Sequence, residues 1–126
     1  MLKKLLPVLL LSLGVAGCST TTITNLTPKR EYRNANGYYP IEAVLHSDQH
    51  TLRWDSVKTQ VLLENEAVPM RPTPLMTNRW ETLIQVPPNA HTVYYRIKFD
   101  YKSNAFGKAK VESKVSPIQE LHIMDR

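Results

Sequence analysis

Cysteine is almost absent from this chain: one residue, Cys18, among 126. A single thiol cannot close an internal disulfide, so the fold must be held by packing alone. Glycine is nearly as scarce, four in all, with Gly14 and Gly17 both close to the start. That leaves no glycine-rich loop able to cradle a phosphate. No G-x-S-x-G elbow accompanies Asp48, Asp55 or Asp100, and the absence of any catalytic constellation argues against an enzyme. No cofactor is implied. The formal net charge of +5 is spread without a run of like sign. With no basic cluster interleaved with aromatics, nucleic acid is not an expected partner. After Cys18 no stretch has the apolar spacing of a helix.

What the sequence does have is a marked beginning. Lys3 and Lys4 precede an apolar run from Leu5 to Ala16, broken by Pro7, Ser12 and Gly14. A short basic region, a short apolar region and small residues before a cut site describe a secretory signal peptide. The run is shorter than the ~20 apolar residues that span a bilayer. It closes on Val15-Ala16-Gly17-Cys18, which resembles the lipobox of bacterial lipoproteins. The resemblance implies cleavage before Cys18, a diacylglyceryl group on its thiol and acylation of the new amino terminus. Cys18 is therefore the expected lipid attachment site, and membrane the expected partner through that lipid. More than one acyl chain gives stable attachment. Ser19 in the next position implies, in a two-membrane host, sorting to the outer membrane. The expected location is the cell envelope.

These features divide the chain into a signal at 1–17, a lipidated cysteine and polar tether at 18–27, and a folded domain at 28–126. That remainder is one domain by length. Its pattern is extended throughout. At 38–46, Tyr39, Ile41, Ala43 and Leu45 fall on one face. At 57–64, Val57, Thr59, Val61 and Leu63 alternate with Lys58, Gln60, Leu62 and Glu64. At 79–86, Trp80, Thr82, Ile84 and Val86 share a face, and at 92–101 so do Val93, Tyr95, Ile97, Phe99 and Tyr101. A period of two is the strand signature. Further short strands are expected at 23–26, 67–70, 111–115 and 118–123, the last with Leu121 and Ile123 inward. The segments 27–37 and 102–110 read as loops. Pro69, Pro72 and Pro74 lack ladder donors and place their segment at a sheet margin. Short strands with turn signals about every 10 residues predict an all-β, immunoglobulin-like antiparallel β-sandwich of about seven strands. Trp80 or Trp54 is expected to supply much of its central packing.

Candidate sites are few. His46, Asp48 and His50 are closely spaced, but on a strand end and turn they read as surface residues and not as a metal site. Tyr94, Arg96 and Lys98 occupy the outward phase of the strongest strand. Together with Met70 and Met76 of the proline-rich segment they form the candidate binding surface; Met70, Leu75 and Met76 alternatively cover an open end of the core. The stretch from Trp80 to His91, followed by Tyr95-Arg96-Ile97-Lys98-Phe99-Asp100, resembles the glycogen- and starch-binding modules of the AMP-activated-kinase type. It departs from them at Asn89-Ala90, where the family has a turn glycine, and lacks their stacking tryptophan. The expected function is a membrane-tethered, non-enzymatic interaction or structural module acting on an envelope protein or polysaccharide. A carbohydrate-binding module with Tyr94, Trp54 or Trp80 as stacking ring is the alternative.

Overall fold

The structure is a computed structural model that describes residues 20–126 apart from 106. Cys18 and the signal lie outside the described residues. Nine strands form: β1 (Thr21–Asn25), β2 (Arg30–Tyr32), β3 (Tyr38–Ser47), β4 (Leu52–Leu62), β5 (Ala67–Pro72), β6 (Arg79–Gln85), β7 (Thr92–Ala105), β8 (Lys108–Val115) and β9 (Gln119–Met124). The strand order is β1-β3-β6-β5-β4-β7-β9-β2, with β8 also on β7. One layer is β1-β3-β6 and the other β4-β7 with β8, β9 and β2. The architecture is an all-β, immunoglobulin-like sandwich.

The alternations read from the sequence set the core. Tyr39, Ile41, Ala43 and Leu45 of β3 are buried, as are Tyr95, Ile97, Phe99 and Tyr101 of β7. Trp80 and Ile84 of β6, followed by Val86, face them. Of the two tryptophans it is Trp80, 3% exposed, that fills the centre. Its ring meets Phe99 edge-on, 5.2 Å between centroids at 80°. Such a pair contributes about 0.5–1.5 kcal/mol beyond its buried area. Trp54 is partly exposed at 39%. It sits in an irregularity of β4: Arg53 pairs with Lys102 and Lys58 with Asp100, so Trp54, Asp55, Ser56 and Val57 oppose the single residue Tyr101. The Ser56 hydroxyl donates to Arg53 O (2.6 Å) and accepts from Lys102 N–H (2.8 Å), closing the bulge.

Four expectations need correction. The segment 27–37 contains β2, which pairs parallel with β9 through Arg30, Glu31 and Tyr32. Three residues are too few to show a period. The segment 102–110 is no loop: β7 continues to Ala105 and turns back through Gly107, at φ +75, into β8. Its polar residues reflect exposure at a sheet edge. Met70 is buried, 8% exposed, and belongs to the core. The strand total is nine against about seven.

The proline-rich β5 does lie at a margin, in an unexpected way. Ala67 to Met70 pair with β4, whereas Arg71 and Pro72 pair with β6. The strand crosses from one layer to the other, and each half needs a partner on one side only, which proline tolerates. A second crossover occurs beside β7. Its start pairs with β9 and its later part with β8. Between them stand Ser116 and Pro117. Ser116 N–H donates to Ile97 O (2.8 Å), and the Ser116 hydroxyl accepts from Ile97 N–H (2.8 Å) in place of a backbone carbonyl.

Candidate functional site

Strand direction gives the sandwich two distinct ends. At one end lie residues 63–66 between β4 and β5, residues 86–91 between β6 and β7, and the turn before β3. At the other lie Thr20, residues 48–51, residues 73–78 and the β7–β8 turn. The first end carries an open cleft of about 840 Å³. Leu62, Tyr94, Arg96 and Ile118 line it, with Glu64 and Glu66 from the β4–β5 turn.

These side chains arrive there for a local reason. With Val93, Tyr95 and Ile97 turned toward the core, Tyr94 and Arg96 must face outward. Arg96 pairs across the sheet with Leu62, and Tyr94 with Glu120. The break at Ser116-Pro117 brings exposed Ile118 alongside. The Tyr94 side is 59% exposed. Neither Tyr94 nor Arg96 makes a side-chain hydrogen bond or ion pair among the described residues. The cleft thus combines a bare phenol ring, a guanidinium free of direct ion pairs among the described residues, two glutamates and an aliphatic floor. It can accept a flat apolar surface, and it can donate hydrogen bonds to a carboxylate, carbonyl or hydroxyl.

One wall of the cleft is clamped. Pro87 and Ala90 form it. Arg33 donates to Pro88 O (2.5 Å) and Ala90 O (2.9 Å), and its Nε pairs with Asp125 Oδ1 at 2.6 Å. That guanidinium holds the Asp125 carboxyl below its ordinary pKa, through the hydrogen bond first and the charge second. The turn before β3 adds a second tie. Gly37, at φ +75, offers its carbonyl to Val86 N–H at 2.9 Å. A Cβ there would come within 3.3 Å of Val86 O, in a left-handed backbone that side chains disfavour.

The remaining sequence candidates do not converge here. Lys98 shares the outward face but lies further along β7, 3.7 Å from Asp100, whose other oxygen takes the Ser113 hydroxyl. Met70 is in the core, and Met76 is exposed at the opposite end. Trp80, being buried, cannot stack on a ligand. His46 and His50 are exposed, and no group of three or more His, Cys, Asp or Glu able to hold a metal occurs among the described residues. No helix among the described residues is long and apolar enough to cross a membrane. Leu62, Ile118, Glu64 and Glu66 were not expected in a site. For Leu62 and Ile118 a signal existed: both are large apolar residues on the outward phase of an alternating strand.

No protein-family model matches the chain, and no curated protein matches it. Among solved structures it is similar to murine CRIg, at 12% identity and a TM-score of 0.43, covering 83% of this chain and 98% of that one.

Proposed function

We propose that this chain is a membrane-anchored bacterial lipoprotein of the cell envelope whose sandwich serves as a non-enzymatic interaction module, with the Tyr94–Arg96 cleft as its recognition surface. The observation that carries the proposal is the placement of the two ends. The chain enters the domain at Thr20, and the cleft opens at the other end of the sandwich. A lipid on Cys18 would therefore hold one end at the bilayer and present the cleft away from it. Arg96 without an ion pair among the described residues, Glu64 and Glu66 beside it, and exposed Tyr94 and Ile118 favour a partner that offers both donors and acceptors beside an apolar patch, as an envelope protein does.

The test has two parts. Labelled palmitate should enter the wild type and not Cys18→Ser, because serine lacks the acyl-accepting thiol. A photo-crosslinking residue at position 96 should capture a protein that the same residue at His46 does not. Palmitate retained by Cys18→Ser refutes the anchor, and equal capture from the two positions refutes the cleft.

The exposed Tyr94 ring also supports a second reading, a sugar-binding module, since a pyranose stacks its apolar face on such a ring. On that reading the protein is retarded in glucan or peptidoglycan affinity gels, and Tyr94→Ala abolishes the retardation without altering the fold. No retardation of the wild type removes it.

A further inference from the structure

We infer that the end of the sandwich at which the chain enters is itself a membrane-contact face, seated on anionic phospholipid through Leu75 and Met76, with Lys108 and Lys110 at the same end. The inference rests on lipidation of Cys18 as proposed above.

Reach comes first. Only Ser19 separates Cys18 from Thr20, and two residues span at most about 7 Å. Thr20 has no slack to add. Its N–H donates to Asp48 Oδ1 at 2.6 Å, its hydroxyl to Asp48 Oδ2 at 3.2 Å, and its carbonyl accepts from Asp48 N–H at 3.1 Å. The sheet then begins at Thr21, inside the 18–27 stretch expected to be a tether. A lipid on Cys18 would bring this end of the domain against the headgroups.

What stands at that end fits the surface. Thr21 pairs with Ser47, and Leu45 N–H donates to Asn78 O at 3.0 Å. Residues 75–76 of the β5–β6 loop thus come level with Ser47 and Thr21. They are offset by two strand spacings, about 10 Å. Leu75 is fully exposed and adopts φ 65, a left-handed conformation that a leucine seldom takes. Met76 beside it is 45% exposed. Neither side chain contributes to the core, so packing explains neither their apolar character nor the strain. A pair of flexible apolar side chains at a loop tip suits insertion at the boundary between headgroups and acyl chains.

Charge agrees. Lys108 and Lys110 open β8 at the same end, both exposed and without an ion pair among the described residues. Of the acidic groups nearby, Asp48 has both oxygens engaged by Thr20, and Glu112 accepts from Gln49 Nε2 at 3.3 Å. His46 and His50, also at this end, are exposed and carry no negative charge. β8 comes near β1, so the lysine pair and the apolar tip occupy opposite edges of one end, and together they favour an anionic surface over a neutral one.

The experiment uses the full lipidated protein. Its own cysteine is blocked by lipid, so an environment-sensitive fluorophore can be placed on Thr77→Cys, next to the tip, or on Arg96→Cys at the cleft. The protein is reconstituted in phosphatidylethanolamine vesicles containing phosphatidylglycerol and brominated acyl chains. The expected result is quenching several-fold greater at position 77 than at position 96. Adding Leu75→Ser and Met76→Ser should erase that difference, and replacing phosphatidylglycerol by phosphatidylcholine should reduce it. Mass spectrometry of Cys18 separates the two ways of failing. An unlipidated Cys18 overturns the anchor and this inference together. A lipidated Cys18 with equal quenching at the two positions overturns the contact face and leaves the anchor standing.

Discussion

Replacing Ser116 by alanine removes one oxygen atom that serves two backbone groups: it donates to the part-buried Pro117 O at 3.0 Å and accepts from Ile97 N–H, where the loss is the more costly. Ile97 is fully buried, and its N–H finds its partner in the Ser116 hydroxyl at 2.8 Å. Ser116 itself is buried, so water cannot replace the acceptor without opening the joint. A buried donor stripped of its partner destabilises a fold by about 1–3 kcal/mol. A domain of this size holds about 5–15 kcal/mol in total and shifts about 4–8 °C in Tm per kcal/mol. Ser116→Ala should therefore lower Tm by at least several degrees. Ser116→Thr keeps the hydroxyl and should recover most of the loss. Thermal melts followed by near-ultraviolet circular dichroism of the purified chain in detergent would measure both. An unchanged Tm in Ser116→Ala, or a threonine variant no better than alanine, would show that the hydroxyl is not what closes this joint.

Three further outcomes are expected. Ile97→Asp buries an unpaired carboxylate and should cost several kcal/mol, while Lys98→Asp, one residue on and facing outward, should cost little; equal losses in a denaturant titration would contradict the register of β7. Thr59→Val should raise stability by about 0.5–1.5 kcal/mol, because the Thr59 hydroxyl is buried without a hydrogen-bond partner among the described residues and a methyl group fits the same shape; a fall in Tm would mean that the hydroxyl is satisfied after all. Asp125 has its native pKa depressed by Arg33, so the unfolded chain binds that proton more readily. Its stabilisation is complete above the ordinary carboxylate range and lost as pH falls below about 4 toward the lowered native value. Asp125→Asn should start lower in Tm at neutral pH and lose less on acidification, and parallel pH profiles for the two proteins would rule this out.

The strands that were legible beforehand share one property: one face is buried and the other wet over at least seven residues. In β3, β6 and β7 the alternation is long enough to fix both the strand and its inward face. β2 offers three residues whose partner, β9, lies about ninety positions away, and parallel pairing leaves no local turn signal. β8 carries almost no buried side chain, so its polar sequence resembles a loop. Met70 misled because prolines on either side suggested a margin; β5 is marginal in its backbone while Met70 points inward. Tyr94 and Arg96 were found by phase alone. The cleft around them was not, since its shape depends on the Ser116-Pro117 break, the β4–β5 turn and the β6–β7 connection.

The way β1 joins the sheet has a mechanical consequence. The strand enters at Thr20, runs toward the cleft and pairs antiparallel with β3 over five successive residues. Tension applied to the N-terminal side, against a load held at the cleft, acts along the axis of β1. Its ladder hydrogen bonds are then sheared together instead of being peeled open one by one. The parallel β2–β9 pair, further along the same path, has its strands aligned with that force as well. Five rungs loaded in parallel resist far more force than the same rungs opened in series. The connection between an anchor and a cargo would thus be strongest in the direction in which a membrane tether pulls.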